Sequence, residues 1–165
     1  MASNALDLYY MPYTHGLAAC FVWCAVVALG YKLVRRAERG WRAGLIVGLT
    51  VFSHWVLDWL VHRPDLPLYD DTLKVGLGLW NHPALAFVLE AGLLLGGLQL
   101  YLRTTSPVGT AGRYGMPMFA IVLLLVQVSW YAGAAPSSPR AVAISGLVSF
   151  VAFTGVVAWL ENKRL

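Results

Sequence analysis

The sequence predicts an all-α integral membrane protein, a helical bundle of about five transmembrane helices with the N-terminus outside and the C-terminus inside. Three observations predict it. Charged residues make up only 12% of the 165-residue chain and hydrophobic residues 59%, whereas a soluble domain carries about 25% charged residues. Five apolar runs, approximately 14–34, 41–61, 83–102, 115–135 and 140–160, are each long enough for the roughly 20 residues a helix needs to cross a bilayer. The basic residues alternate in density from one connection to the next. Lys32, Arg35, Arg36, Arg39 and Arg42 surround the first connection, Arg103 and Arg113 the third, and Lys163 and Arg164 follow the last run. The intervening connections hold only Arg63, Lys74 and Arg140. Basic residues accumulate on the cytoplasmic side, which sets the orientation. A net charge of +4 distributed in this way is a topology signal and does not point to nucleic acid.

The runs are continuous rather than alternating, so each reads as a helix and not as a barrel strand. Residues 1–13, MASNALDLYYMPY, read as an interfacial lead-in. The first run lacks the basic flank and cleavage site of a signal peptide and reads as a span. Its Cys20 and Cys24 lie one turn apart and read as small buried residues. The second run ends where Pro64 and Pro67 stop a helix. The connection 62–82 is the longest and the most acidic, with Asp65, Asp70 and Asp71; the last two read as a solvated turn. Pro83 suits the first position of the third helix. The last three runs are rich in Gly, Ala and Ser, as in EAGLLLGG and AISGLVSF, which lets membrane helices approach closely. Trp41, Trp59, Trp80 and Trp159 fall near the predicted interfaces as an aromatic belt. Every connection is short, so residues 1–165 read as a single transmembrane domain.

The polar residues converge on one side. The stretch SHWVLDWLVHRPDLPL (53–68) carries His54 and Asp58 at i, i+4 spacing, on one face of the second helix. His62 is one turn further if the helix continues, but as a loop start it reads as solvated. His15 starts the first span and His82 the third, so all four histidines map to the outer side. Glu90 lies about 12 Å into the third helix at 1.5 Å per residue, a depth matching His54. An acid within the membrane costs roughly 2.5–3.5 kcal/mol and demands compensation. Residue chemistry leaves three kinds open: a divalent metal, a proton or ion path, and a hydrogen-bonded knot that locks helices. For a metal, His15, His54 and Asp58 would be ligands, with His82, Glu90 or Asp65 as a further ligand, supporting partner or general base. Three protein ligands plus water is the pattern of a catalytic zinc. The spacing is not HExxH, and neither a GxSxG elbow nor a phosphate-cradling GxxxxGK[ST] is present. Ser53 and His54 face different ways on a helix, which argues against a Ser–His pair.

Three segments, MPYTHGL (11–17), SHWVLDWLVHRPDLPLY (53–69) and KVGLGLWNHPALAFVLE (74–90), resemble the bacterial inner-membrane family described as membrane-bound metal-dependent hydrolases. The resemblance covers roughly residues 9–103; the last two runs share only hydropathy. It implies a metal core built from a THS motif, here Thr14, His15 and Gly16, and an HxxxD motif, here His54 and Asp58. Gly16 stands where the family carries serine. Family members also carry a preceding hydrophobic segment with another His or Asp, so the resemblance implies a site short of one ligand: a fragment, a reduced paralogue or a protein completed by a membrane partner. The expectation is then an inner-membrane, metal-dependent hydrolase. Divalent metal, zinc, sits near the periplasmic face, Glu90 and Asp65 serve catalysis, and a lipid or envelope molecule is the substrate. The rivals are a small transporter with Asp58 and Glu90 as a proton-coupled pair, and a non-catalytic membrane interaction protein with a structural polar cluster. Against the transporter, the last two runs offer only Gln127 and small hydroxyls as a relay.

Overall fold

The five predicted spans are helices in the computed structural model, which describes residues 10–34, 40–133 and 138–165. The lead-in over 1–9, the basic residues Arg35, Arg36 and Arg39 and the predicted end of the fourth span at 135 lie outside the described residues. Six α-helices occur among the described residues: α1 (Pro12–His15), α2 (Leu17–Val34), α3 (Gly40–Val61), α4 (Pro83–Thr104), α5 (Gly109–Ala132) and α6 (Pro139–Glu161). All but α1 are long and apolar enough to cross a membrane. Their large side chains point outward, as with Leu45, Ile46 and Leu49 on α3, 56–65% exposed. In a bilayer, lipid tails cover such a surface, and the chain is a multi-pass membrane protein. The helices fall into two compact units, Met1–His82 and Pro83–Leu165, a division that no composition shift in the sequence marks.

In the first unit, Pro12 starts the single turn α1, where its missing N–H costs nothing. Gly16 ends the turn in an extended conformation, its N–H donating to the Pro12 carbonyl. Helix α2 then begins against the connection 62–82: Leu17 and Ala18 donate to the carbonyls of Pro67 and Leu68, each at 3.0 Å. These are helix-start donors that have no partner within the helix. Helices α2 and α3 form a tight antiparallel pair. A Cβ added to Gly44 would meet the Ala28 carbonyl oxygen at 2.8 Å, and one added to Gly48 the Cys24 carbonyl oxygen at 3.1 Å. Cys20 is buried at this seam, as expected, its sulfur 4.0 Å from that of Cys24.

The connection after α3 folds back on the helix ends. His62 N–H still donates to the Asp58 carbonyl, at 2.8 Å. Leu66 and Val75 exchange both backbone hydrogen bonds, and Tyr69 bridges to Thr72 around a turn in which Asp70 has φ 47°. Leu77 and Gly78 then donate to the carbonyls of Trp59 and His62, at 2.8 and 2.6 Å. One connection therefore supplies acceptors to the start of α2 and donors to the end of α3. Leu66, Pro67 and His62 are fully buried beneath it.

In the second unit, Pro83 opens α4 as predicted, and α6 is capped by Ser138, whose hydroxyl accepts from Ala141 N–H at 3.1 Å. Helix α5 begins at Gly109, six residues ahead of the predicted start at 115. The reason lies at the far end of the chain. A Cβ on Gly112 would run into the Lys163 carbonyl oxygen, and Val108 N–H donates to that same oxygen at 2.8 Å. Arg164 donates to Thr105 Oγ1 at 2.7 Å, to the Thr105 carbonyl at 2.8 Å and to the Gly112 carbonyl at 2.5 Å. The polar start of α5 is thus held by the C-terminal residues, which hydropathy does not register.

Candidate metal centre

The site lies where α1, α3 and the connection 62–82 meet in the first unit. Helix α3 sets two of its members, since residues four apart stack on one face. His54 Nε2 lies 3.1 Å from Asp58 Oδ2. The turn α1 supplies the third: His15 Nε2 lies 3.7 Å from the same oxygen. One ligand atom from each of the three residues lies within 4.8 Å of the others. The HxxxD pair and the histidine of the THG motif, 39 residues apart at their nearest, therefore come together as the sequence predicts.

These distances suit a shared ion. Two ligand atoms bound tetrahedrally at about 2.0–2.1 Å sit about 3.4 Å apart, and two imidazoles so bound have ring centres about 5 Å apart. The His15 and His54 rings are 5.2 Å apart, tilted by 57°. Asp58 is buried, and two imidazole nitrogens converge on its Oδ2, His54 Nε2 at 3.1 Å and His15 Nε2 at 3.7 Å. A buried carboxylate oxygen needs a cation or a proton beside it to offset its lost hydration. The His–His–Asp group could hold a metal ion, and its donor set, two imidazoles and a carboxylate, suits zinc among other divalent metals.

The surroundings orient the ligands. Thr14 Oγ1 lies 2.7 Å from His15 Nδ1, which turns Nε2 toward Asp58. Metal-bound histidines are generally steadied at their second nitrogen in this way. The Trp23 indole donates to the Tyr13 carbonyl at 2.9 Å and pins α1 to α2. Burial pushes the His15 pKa below its ordinary value, against the opposing pull of Asp58, and the neighbouring His54 and His62 rings push it the same way as burial. The neutral imidazole is the form that binds metal. His54 is the open side of the site, its side chain 57% exposed. At Gly16 a serine Cβ would collide with the Pro12 carbonyl oxygen, so this local backbone requires glycine where the resembled family has serine.

The remaining sequence-predicted residues separate. Asp65 belongs to the site's surroundings. It is 7% exposed, takes His62 Nδ1 at 3.0 Å on one oxygen and accepts from Arg63 Nε at 3.0 Å on the other. A carboxylate only accepts, so Nδ1 of His62 carries the hydrogen. His62, expected to be solvated, is instead 1% exposed, its ring 4.8 Å from that of Trp80 and 6.1 Å from that of His15. The correction has a physical cause: the connection folds over the last turn of α3 rather than away from it. Trp80 correspondingly serves this packing, where the sequence suggested a membrane-interface anchor.

His82, predicted as a ligand, is exposed and stands outside the cluster; its backbone N–H closes the short 3₁₀ turn Leu79–Asn81 at 2.8 Å. Glu90 belongs to the second unit, where it accepts from Gln127 Nε2 at 2.5 Å and from Tyr131 Oη at 3.1 Å. It ties α4 to α5 within the membrane-spanning segments. His62 is the site-adjacent residue that the sequence underrated. Its i+4 spacing from Asp58 was the available signal, and Pro64 two residues later obscured it. Asp70 is exposed and Asp71 pairs with Lys74 at 2.8 Å, as a solvated turn would. Comparison of the chain with family models, with curated proteins and with solved structures gives no match.

Proposed function

We propose that this chain is a metal-dependent hydrolase of the bacterial inner membrane, holding zinc on His15, His54 and Asp58 near the periplasmic face. The observation that carries the reading is the convergence of two imidazole nitrogens on one buried Asp58 oxygen, at 3.1 and 3.7 Å, with one ligand atom from each of the three residues within 4.8 Å of the others. Three protein ligands leave a tetrahedral ion one further position, the arrangement of catalytic rather than structural zinc. When bound, the metal would lower the pKa of a coordinated water toward 7 and polarise a carbonyl or phosphoryl oxygen. The chain's own residues hold the ligands in register: Thr14 orients His15, the α3 helix spaces His54 from Asp58, and the connection 62–82 closes one side. The exposed His54 edge gives access at the end of two membrane helices, which suits a lipid-like or envelope ester. The likeness of MPYTHGL and SHWVLDWLVHRPDLPLY to membrane-bound hydrolases supports the same reading.

Metal analysis of the detergent-purified protein tests it. The expected result is about one zinc per chain, lost in His54→Ala and Asp58→Asn while helicity is retained. Chelator-sensitive cleavage of a micelle-borne ester or phosphodiester should disappear in the same variants. Protein that binds no divalent metal, or binds it equally well in both variants, rejects the site and leaves the polar group as a packing device.

A further inference from the structure

We propose that His62, oriented by Asp65, is the residue that accepts the hydrogen of a water or hydroxyl oxygen bound at the metal's fourth position. The inference rests on the metal reading above and adds a role to a residue outside the three ligands. His54 and Asp58 lie four residues apart on α3, and His62, just past its end, keeps the helical hydrogen bond to the Asp58 carbonyl at 2.8 Å, so each is about 6 Å further along one line. An ion held by the first two and by His15 has His62 as its next neighbour along that line. The His62 ring is 6.1 Å from the His15 ring, 0.9 Å more than the 5.2 Å between His15 and His54. His54 and His62 are about 12 Å apart along that line. That is too long for both to bind one tetrahedral ion, yet one interposed oxygen, about 2.0 Å from the ion and about 2.8 Å from a ring nitrogen, fills the difference.

The ring is built for that position. Its side chain is 2% exposed and that of Asp65 10% exposed, with 3.0 Å between Nδ1 and Oδ1. The Asp65 contact fixes Nδ1 as the hydrogen-bearing nitrogen, which leaves Nε2 as an acceptor for the oxygen's hydrogen. Trp80 blocks ring rotation from one side, and Arg63 holds the other Asp65 oxygen at 3.0 Å. His62 and Asp65 thus form a fixed, buried polar pair beside the His–His–Asp group.

Cobalt substitution in detergent tests this without an activity assay. Acetohydroxamic acid, whose N–OH hydrogen Nε2 can accept as that oxygen binds the metal, should shift the visible spectrum of the Co(II)-loaded wild-type protein. His62→Ala should keep one Co(II) per chain and bind the probe about tenfold or more weakly, the scale of one hydrogen bond to a charged group. Asp65→Asn, which keeps the ring but loosens it, should show an intermediate loss and serves if the alanine variant does not fold. Unchanged probe affinity in both variants overturns the inference and leaves the metal site standing. Loss of Co(II) from folded His62→Ala also overturns it, since His62 would then be a ligand. A wild-type protein that takes up no Co(II) fails the parent reading and this one together.

Discussion

The Thr14 hydroxyl sets which nitrogen of His15 faces Asp58. Its Oγ1 sits 2.7 Å from His15 Nδ1, and the ring's other nitrogen then faces Asp58. Removing the hydroxyl while keeping the shape, in Thr14→Val, leaves the ring free to turn. Zinc affinity should fall about 10- to 100-fold, the usual effect of losing a partner behind a metal-bound histidine. Competition with a chromophoric chelator measures it, and an unchanged affinity would show that α1 alone fixes the ring. At this scale the sequence was partly legible. His54 and Asp58 could be paired because helical spacing is local. His15 could be joined to them only through the predicted topology and the resemblance of its motif. The partners of Glu90 could not be read at all: Gln127 and Tyr131 lie 37 and 41 residues away, and no periodicity links them to it.

Among the elements, the connection 62–82 does the most to shape the site, and it was the least legible. Hydropathy and its prolines identify it as a break between spans. They do not reveal that its backbone hydrogen-bonds both helix ends, because those bonds carry no side-chain signature. The glycine that permits the fold is Gly76, at φ 153°, where an added Cβ would collide with the carbonyl oxygens of His62 and Arg63. Gly76→Ala should therefore destabilise the first unit by more than the ~1–3 kcal/mol typical of a strained backbone position, because carbonyl collisions add to the strain. Thermal unfolding in detergent should show a lower midpoint, and His62 should become accessible to diethyl pyrocarbonate. An unshifted midpoint would mean that the connection is loosely attached. The long helices contrast with this. Their starts and ends were read closely wherever proline or apolar content set them, as at Pro83, and missed at Gly109, where residues 163 and 164 hold a polar turn in place.

For the molecule as a whole, orientation decides which compartment the site serves. Nine of the twelve lysines and arginines flank the first and third connections or the C-terminus, the imbalance expected of segments on the cytoplasmic side. The connection 62–82 is then outside. It lies over the His–His–Asp group through backbone bonds to α2 and α3, so one marker on it reports the side of both. Tyr69 is 68% exposed, and Asn162 is exposed past the end of α6. In a background with Cys20 and Cys24 replaced by alanine, a membrane-impermeant maleimide should label Tyr69→Cys in intact cells and Asn162→Cys only after permeabilisation. The opposite pattern would put the site in the cytoplasm and remove an envelope substrate, without touching the ligand geometry. The two questions separate because sidedness follows from charges in the connections, whereas the His–His–Asp group follows from the face of α3 and the short turn before α2.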